Sequence, residues 1–340
     1  MSVVNSDCTV VMATFNGAEY LTEQLTSLQN QIMTPRRLIV SDDGSTDATP
    51  RILEEFATRA SFDVTIVDGP QQGYAENFWC AAKLADTKYL AWADQDDVWS
   101  PQKILRCVQT LEATGVSFVS HSASVADEEL RPLGRSLPDY QRTRVLPPLE
   151  GDPFHVPSGF ASVFRREILN NIDWENRPLS HQHWRAMGHD HVVGLTAFSF
   201  HSRVQLSESL ACHRQHGSNT QGDPSITGLN RQISTALNTS ADDYARLASR
   251  AEGYAHYLSL VSEPDAPAVR FFQFAAERAR LRERIRNGKS FPIRLQSLMD
   301  SARKRNYIPK DNGGFGFPAF LNDSLALCLS VTASTSSPTS

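Results

Sequence analysis

The sequence has few cysteines, no long hydrophobic run and no excess of positive charge. Its five cysteines are scattered and include no pair spaced by two residues, which argues against a disulfide framework or a thiolate metal site. No apolar run reaches the roughly 18 to 20 residues that a membrane-spanning helix requires. The first residues also lack the basic stretch and apolar core of a secretory signal. We therefore expect a cytoplasmic protein.

The charged residues are nearly balanced, with 33 lysines and arginines against 38 aspartates and glutamates, for a formal net charge of -5. This balance gives no reason to expect a nucleic-acid partner, which a strongly basic surface would attract. The hydrophobic fraction of 40% is typical of a globular protein. At 340 residues the chain can form one large domain with a smaller appendage.

The motifs of several common nucleotide and metal sites are missing. The sequence has no GxGxxG after its first predicted strand and no GxxxxGKS or GxxxxGKT phosphate-binding loop. Seven of the ten histidines lie between His181 and His216, which raises the alternative of a zinc hydrolase. That alternative is weakened because there is no HExxH, and because histidines two residues apart do not share a face of a helix.

The first third of the chain shows a regular alternation of short apolar runs and helical patterns. CTVVMATF (8–15) predicts a buried strand, and the helix after it carries apolar residues at helical spacing: Leu21, Leu25, Leu28 and Ile32. Three more strand–helix pairs follow, and the last helix is expected to begin at Ser100 and Pro101. This alternation predicts an α/β fold with a mostly parallel central sheet flanked by helices.

Polar clusters stand at the ends of three of these strands: 14–17 (TFNG), 41–44 (SDDG) and 94–97 (DQDD). The carboxyl ends of parallel strands meet at one edge of the sheet, where ligands bind, so the three clusters predict one site. Asp94 and Asp96 point to the same side of an extended chain and offer oxygen ligands to a hard cation, Mn2+ or Mg2+. The alternative is structural: the carboxylates serve only to cap the helices that follow.

Four stretches, in order, resemble the family 2 glycosyltransferases, which have the GT-A fold: ATFNGAEYLTEQLTSLQNQ, SDDGSTD, GYAENF and ADQDDVW. The resemblance is dense over residues 8–107 and resumes in 157–169, GHDHVV (188–193) and CHRQHGSN (212–219). It is greatest to bacterial rhamnosyltransferase-like enzymes of surface polysaccharide synthesis.

The resemblance implies an inverting, metal-dependent glycosyltransferase that uses Mn2+ or Mg2+. It would move a sugar, with rhamnose in first place, from a nucleoside-diphosphate sugar to a glycan or lipid-linked glycan acceptor. Two alternatives stay open: a nucleotide-sugar-binding module without turnover, and a nucleotidyltransferase. The second would need a glycine-rich signature and a lysine near the first strand, and ATFNGAEYL supplies neither.

Carried over by position, the resemblance assigns roles to individual residues. Asp190 is the expected general base, and Asp96 is the expected metal ligand, assisted by Asp94 and His216. The residues expected to bind the substrate are Thr14, Asn16, Glu19, Asp42, Asp43, Asn77, Asp94 and Arg214. Within this set, Asp42 would contact the nucleotide base and Arg214 would offset phosphate charge. The sequence departs from the family at 191–193, where an aromatic pair is usual, and the departure concerns the acceptor pocket.

The pattern changes along the chain and predicts three regions. A GT-A catalytic domain spans 1–225, with a nucleotide-sugar half over 1–115 and an acceptor half over 116–225. A C-terminal helical extension spans 226–310, where the apolar residues follow a helical period. The remaining 311–340 combine an amphipathic segment with a Ser/Thr/Pro-rich tail that we expect to be disordered.

A run of basic residues precedes the amphipathic segment. It comprises Arg278, Arg280, Arg282, Arg284, Arg286, Lys289, Arg303, Lys304 and Arg305. A basic helix beside an apolar segment is typical of peripheral attachment to an anionic membrane surface, here the inner face of the cell membrane. The alternatives are a solvated helix face, packing on the catalytic domain, and contact with a second copy in a homodimer.

Overall fold

The computed structural model describes residues 4–154, 158–179, 186–217, 240–287, 291–303 and 323–324. The chain divides into two compact units. The first consists of Met1–Pro148, Pro153–Ile172 and Met187–Asp223, and the second of Leu149–Asp152, Asp173–Ala186 and Pro224–Ser340. The predicted domain limits stay predictions, because residue 225 and most of 311–340 lie outside the described residues.

The first unit contains the strands and the shorter helices. Its strands are β1 (Val4–Asn5), β2 (Cys8–Thr14), β3 (Met33–Thr34), β4 (Arg37–Asp42), β5 (Asp63–Asp68), β6 (Tyr89–Ala93), β7 (Val98–Trp99), β8 (Phe118–Ala126), β9 (Pro132–Ser136), β10 (Arg144–Leu146), β11 (Ser162–Arg165) and β12 (Arg203–Arg214). Its helices are α1 (Ala18–Gln29), α2 (Thr49–Ala57), α3 (Tyr74–Ala82), α4 (Lys103–Thr114) and α5 (His189–Phe200), with 3-10 turns at Gly159–Ala161 and Arg166–Asn171. The second unit has α6 (Ala241–Val261), α7 (Pro267–Asn287) and α8 (Phe291–Arg303).

Within the described residues, ten strands form one sheet in the order β10-β12-β8-β11-β6-β2-β4-β5, with β7 paired to β12 and β9 to β8. The four strands β5, β4, β2 and β6 run parallel to one another. β11 runs antiparallel to β6 and to β8, so the second half of the sheet is mixed. The predicted α/β fold, a sheet with parallel strands flanked by helices, is confirmed.

The two faces of β2 show why helices cover both sides of the sheet. Val10 and Met12 point into a core that also contains buried residues of α1, α2 and α4. Val11 and Ala13 point to the opposite face, where α3 and α5 pack. A strand that is buried on both faces needs a continuous apolar run, and the VVMA stretch at 10–13 supplies it.

The prediction that Ile32 belongs to the apolar face of α1 is wrong. The helix ends at Gln29, and Ile32 lies beyond it with 54% of its surface exposed. The Ile32 amide donates to the Pro101 carbonyl at 2.9 Å, which draws the chain out of the helical path. The spacing of the apolar residues therefore predicts a helix that is about one turn too long.

Two other predicted element limits are also wrong. α4 begins at Lys103 instead of Ser100, because a turn comes first, in which the Lys103 amide donates to the Ser100 carbonyl at 3.0 Å. The stretch 198–206 (FSFHSRVQL) predicts a strand by its sequence, but it is divided between the end of α5 and the start of β12. α5 is buried almost all round, so its apolar run resembles that of a buried strand.

The second unit is held by packed helices and a capped helix start. α6 begins with a capping box, in which Ser240 Oγ accepts from the Asp243 amide (3.1 Å) and Asp243 Oδ2 accepts from the Ser240 amide (2.8 Å). α6 packs on α7, where the Tyr254 ring meets Phe272 edge-on at 5.2 Å between centroids. α8 packs on α7 in turn.

Two arginines of the predicted basic run turn inward. Arg282 donates from Nε (2.7 Å) and Nη2 (2.8 Å) to the two carboxylate oxygens of buried Asp323, and Arg286 Nη2 lies 3.5 Å from the same carboxylate. A solvated helix face is therefore wrong for this part of the run. Lys289, Lys304, Arg305 and most of the predicted amphipathic segment lie outside the described residues. No helix in the described part of the chain is long and apolar enough to cross a membrane.

Candidate active site

Three parallel strands bring the polar clusters to one edge of the sheet. β2 lies between β4 and β6 and pairs with both, so the segments that follow these strands emerge side by side. Gln95 joins two of the clusters, because its Oε1 accepts from the Phe15 amide (3.0 Å) and its Nε2 donates to the Phe15 carbonyl (3.2 Å). A Cβ at Gly17 would lie 2.2 Å from Gln95 Oε1, so a larger residue there would displace the Gln95 amide from these two hydrogen bonds. The clusters therefore form one continuous rim.

The Asp42 carboxylate organises the loop after β4. Its Oδ2 accepts hydrogen bonds from the Thr14 and Ser45 hydroxyls, both at 2.7 Å. Its Oδ1 accepts from the amides of Gly44 (3.2 Å) and Ser45 (2.8 Å). Gly44 adopts a φ of +90°, a conformation that glycine takes without steric cost. These hydrogen bonds mean that Asp42 fixes the shape of the loop after β4. Its predicted contact with the nucleotide base stays a prediction.

Asn16 ties the first polar cluster to the second. Its amide donates to Ser45 Oγ (2.8 Å), and its Oδ1 accepts from the Thr46 amide (2.8 Å). Asp47 Oδ2 accepts from the Ala18 amide (3.1 Å) at the start of α1, where a carboxylate also complements the helix dipole. These bonds hold the loops after β2 and β4 together.

Asp43 and Asn77 fix the neighbouring part of the rim. Asp43 accepts from the amides of Gln71 (2.6 Å) and Gly73 (3.1 Å), which shapes the approach to α3. Asn77 is buried in α3, and its Nδ2 donates to the Ser41 carbonyl at 2.9 Å. Asn77 Oδ1 has no hydrogen-bond partner among the described residues. Both predicted substrate-binding residues thus support the loops at the strand ends.

α1 supplies another side of the rim through Glu19 and Tyr20. Glu19 is exposed in the first turn, and burial together with the Glu19 carboxylate raises the pKa of Tyr20. The Tyr20 ring lies under the Arg214 guanidinium (4.6 Å from carbon to centroid) and beside the His216 ring (4.6 Å between centroids). α1 thereby contacts Arg214, the last residue of β12, and His216, two residues beyond it.

The three carboxylates of the acidic loop, Asp94, Asp96 and Asp97, crowd together. Burial and the charges of Asp97 and Asp96 raise the pKa of Asp94 well above its ordinary value. Burial and the charge of Asp97 also raise the pKa of Asp96. Such increases mean that the surrounding protein groups do not fully compensate the negative charge. A cation in this loop would supply the missing compensation.

Two histidines face the acidic loop, because β12 pairs with β7 directly after it. His216 Nε2 lies 2.9 Å from Asp96 Oδ2, and His213 Nδ1 lies 2.9 Å from Asp97 Oδ1. Burial acts to lower the pKa of His213, but the hydrogen bond and charge of Asp97 outweigh it and raise the pKa. The His213–Asp97 pair is not among the residues predicted from the sequence, where the third carboxylate of DQDD was the available signal.

Arg214 supports the acidic loop and is almost fully buried. Its amide donates to Asp97 Oδ1 (3.1 Å), its Nε donates to the Asp96 carbonyl (2.9 Å), and its Nη2 pairs with Glu23. These contacts make Arg214 a scaffold for the loop. Its predicted contact with phosphate stays a prediction.

Asp96 and His216 are side chains that could hold a cation here, and their role as metal ligands stays a prediction. Carboxylate oxygens suit Mg2+ and Mn2+, which keep several water or phosphate ligands, so few protein ligands are needed. Among the described residues, no three His, Cys, Asp or Glu side chains converge closely enough to form a complete metal cluster. That finding also gives no support to the zinc alternative within the described ranges, although His181 and His183 lie outside them.

Asp190 lies in the first turn of α5. Its Oδ1 accepts from the His191 amide (2.8 Å) and its Oδ2 from the Gly159 amide (3.3 Å). Burial acts to raise the pKa of Asp190, but the charges of His191 and His189 and the two amide bonds lower it. Its charge in turn helps to raise the pKa of Asp94, so the two carboxylates lie within electrostatic reach. An ionised carboxylate in this place can accept a proton.

His189 forms an aromatic wall beside Asp190. Its ring stacks on Phe78 (3.9 Å between centroids) and meets Trp92 edge-on (4.8 Å). Burial lowers the pKa of His189 to about 4, which keeps the imidazole neutral. Neither ring nitrogen has a hydrogen-bond partner within the described ranges. His189 is not among the residues predicted from the sequence, because the sequence around a histidine does not show that its ring is buried.

Residues 9–173 match the family model described as Glycosyl transferase family 2. The matched range covers the strands of the rim and the acidic loop, whereas Asp190 and β12 lie beyond it. The predicted resemblance to this family is confirmed.

The matched relatives include two bacterial proteins. An uncharacterized glycosyltransferase of Nostoc sp. is 26% identical over 216 residues, which cover 62% of this chain and 65% of the relative. The dTDP-rhamnosyl transferase RfbG of Shigella flexneri is 34% identical over 105 residues, which cover 29% of this chain and 36% of RfbG. The chain thus spans less than two thirds of the length of these relatives.

A solved structure supports the fold. TarS 1–349 of S. aureus, crystallised with UDP-GlcNAc, matches with a TM-score of 0.55 over 96% of this chain and 92% of TarS 1–349. The sequence identity is 15%, so this likeness concerns the fold alone.

Proposed function

Residues 9–173 form a family 2 glycosyltransferase domain with the GT-A fold, and from this premise we propose that the protein transfers a sugar from a nucleoside-diphosphate sugar to a glycan or lipid-linked glycan. One observation carries the proposal. His189, next to Asp190, meets Trp92 edge-on at 4.8 Å between centroids, and Trp92 lies two residues before Asp94, so the expected proton acceptor lies close to the acidic loop. Metal-dependent inverting transfer uses a proton acceptor and a cation.

The donor side is built from the acidic loop. Asp96, Asp94 and His216 would hold Mn2+ or Mg2+, which when bound supplies positive charge that stabilises the departing nucleoside diphosphate. Arg214 keeps the loop in place through the Asp96 carbonyl and the Asp97 carboxylate. The protein ligands are therefore positioned before the donor arrives.

The acceptor side depends on Asp190. Its lowered pKa keeps the carboxylate ionised at neutral pH, and the amides of Gly159 and His191 orient its two oxygens. The carboxylate takes the proton of the acceptor hydroxyl as that oxygen bonds to the anomeric carbon. The bond from this carbon to the phosphate oxygen breaks, and its electron pair leaves with the nucleoside diphosphate. A single displacement of this kind inverts the anomeric configuration.

We propose dTDP-L-rhamnose as the donor. The support is the 34% identity over 105 residues with a protein named as a dTDP-rhamnosyl transferase. A UDP-sugar is the alternative donor, since the fold is also that of a protein crystallised with UDP-GlcNAc.

Nucleotide-sugar binding and turnover test the function. With Mn2+, dTDP-L-rhamnose should raise the melting temperature, because a ligand that binds only the folded state stabilises it. The same sample should release dTDP when a rhamnan or lipid-linked glycan acceptor is added. UDP-GlcNAc and GDP-mannose serve as matched donors, and EDTA removes the cation. Stabilisation without release for any donor and acceptor would instead favour the binding module without turnover, and no stabilisation by any donor would contradict the proposal.

We further propose that the second unit attaches the protein to an anionic membrane, where lipid-linked acceptors would lie. α8 exposes Phe291, Leu295 and Met299, which are four residues apart and share one helix face. Arg303 is exposed at the end of the same helix, as expected for a helix that lies on a lipid surface.

Replacing Leu295 and Met299 together by serine should lower sedimentation with phosphatidylglycerol vesicles. Each side chain loses apolar area that would enter the lipid, so the bound fraction should fall several-fold, while turnover on a soluble acceptor should not change. The matched control replaces Leu84 by serine, an exposed leucine of the first unit. Equal sedimentation of all three proteins would show that α8 does not contact lipid.

A further inference from the structure

Lys103 is a buried lysine for which the proposed mechanism gives no role. It is the first residue of α4 and is fully buried. Its Nζ lies 3.2 Å from the centroid of the Trp99 ring, and burial lowers the pKa of Lys103 to about 7. Burial of an amine in such surroundings is costly, so its retention needs a compensating contact.

That contact is the carbonyl of Phe160. Lys103 Nζ donates a hydrogen bond to it at 2.5 Å. The amine donates in either protonation state, so the bond does not depend on its charge. Phe160 is the central residue of the 3-10 turn Gly159–Ala161, and this turn is buried. Lys103 therefore connects the start of α4 to the turn.

The turn contacts Asp190 directly. The Gly159 amide donates to Asp190 Oδ2 at 3.3 Å. A Cβ at Gly159 would lie 3.1 Å from the Cβ of Asp190 and 3.2 Å from His189 Nε2, so the backbone packs against both residues. A displacement of the turn would therefore displace the carboxylate that accepts the proton.

The same turn contacts the acidic loop through the Phe160 side chain. The Phe160 ring stacks on His213 with 4.8 Å between centroids and an angle of 9° between planes. His213 in turn bonds to Asp97 at 2.9 Å. One turn thus touches the proton acceptor through its backbone and the support of the acidic loop through its ring.

We propose that Lys103 is a positioning residue for sugar transfer: by anchoring the Phe160 carbonyl it holds Gly159 against Asp190 and the Phe160 ring against His213. The inference rests on the proposed function, since it assigns a role within that reaction. Lys103 itself does not touch the reacting atoms. It fixes the distance between Asp190 and the acidic loop.

The test replaces Lys103 by methionine, which keeps the length and the packing on Trp99 but cannot donate a hydrogen bond. We expect kcat to fall roughly 10- to 100-fold, because a misplacement of about 1 Å at a reacting group has effects of that size. The dissociation constant for dTDP-L-rhamnose and the melting temperature should stay near those of the wild type. Removal of a buried amine that only packs is often neutral or stabilising. Lys103→Gln, which restores a donor, should recover part of kcat.

Two further measurements separate positioning from a general structural role. Hydrogen exchange of a peptide that spans 158–165 should be faster in Lys103→Met, and this readout does not require turnover. Combined with Asp190→Asn, Lys103→Met should cause little further loss of kcat, because the residue through which it acts is already disabled. The matched control, Lys88→Met, removes an exposed lysine that pairs with Glu112 and should leave kcat and exchange unchanged.

The outcomes are distinguishable. Wild-type kcat in Lys103→Met, or a loss that multiplies with that of Asp190→Asn, would overturn the positioning role. If Lys103→Met does not fold, Lys103→Leu, which also lacks a donor, carries the same comparison, and unchanged exchange and kcat in that variant would overturn the role as well. If the wild-type protein transfers no sugar, the proposed function fails, and unchanged exchange in the 158–165 peptide of Lys103→Met would then overturn the anchoring contact separately.

Discussion

Asp96→Ala is expected to lower sugar transfer by about 1,000-fold or more, since a metal ion contributes several kcal/mol of charge stabilisation to such reactions. The variant removes the carboxylate that lies 2.9 Å from His216, so Mn2+ should lose its main protein ligand. Calorimetry of dTDP binding with and without Mn2+ should show that the Mn2+-dependent part of the affinity has disappeared. Full transfer in Asp96→Ala, or in the wild type with excess EDTA, would contradict the metal assignment.

The melting temperature of the same variant gives an independent check on the electrostatics. Burial and the repulsion between neighbouring carboxylates raise the pKa of Asp94 and Asp96 above their unfolded values, so the ionised loop destabilises the protein at neutral pH. Asp96→Ala without metal should therefore melt no lower than the wild type at pH 7. Below the ordinary pKa of an aspartate the wild-type loop is protonated, and its repulsion is absent. Any advantage of the variant should thus shrink as the pH falls through the raised pKa values. Asp63→Ala, at the exposed start of β5, is the matched control.

Asp190→Asn should lower turnover by roughly 100-fold or more, the usual scale for loss of a general base. Asparagine keeps the size of the side chain and one acceptor for the amides of His191 and Gly159, but it cannot accept the proton. Donor affinity in Mn2+ and the melting temperature should stay close to those of the wild type. An Asn at a helix start caps about as well as Asp, so a purely structural Asp190 predicts unchanged turnover.

Two other acidic residues provide the comparison for Asp190. Glu167→Gln and Asp173→Asn remove two carboxylates that shortly precede Asp190 in the sequence. Glu167 lies in the 3-10 turn Arg166–Asn171 and receives a hydrogen bond from Ser117 at 3.4 Å, while Asp173 Oδ1 accepts from the Asn176 amide at 3.2 Å. Both variants should retain turnover. Near-normal turnover in Asp190→Asn together with a large loss in either of them would move the base to that residue.

The sequence predicts the parts of the site that depend on local order. Thr14, Asp42 and Asp94 stand at the ends of strands whose apolar runs are visible in the chain, and parallel strands place such ends at one edge. Asp190 lies at a helix start that the GHDHVV stretch also indicates. The α/β fold follows from the same alternation.

The contacts that depend on distant pairing could not be predicted. His213 and Asp97 are 116 residues apart, and Arg214 and Glu23 are 191 apart, because β12 joins the sheet beside β7 and β8. No local period reveals that neighbourhood. The burial of Lys103 could not be predicted for a related reason. A lysine near a helix start is ordinarily exposed, and the partner of Lys103 lies 57 residues away.

A motif also does not show whether a polar residue serves the ligand or the protein. Asp42 accepts four hydrogen bonds from its own loop, and Arg214 donates to the acidic loop. The family pattern shows only which side chains occur, whereas the structure shows which atoms they contact. Part of the pattern therefore preserves the shape of the loops around the site.

The pairing of Arg282 with Asp323 limits how the chain can be shortened for experiments. A shorter version that ends before 323 would remove a carboxylate from two guanidinium groups that lie inside the second unit. A charge that is left in the interior after its partner is lost destabilises a protein far more than a lost surface pair does. Recombinant versions intended for crystallisation should therefore retain Asp323, and charge-neutralising changes meant to probe lipid contact should avoid Arg282.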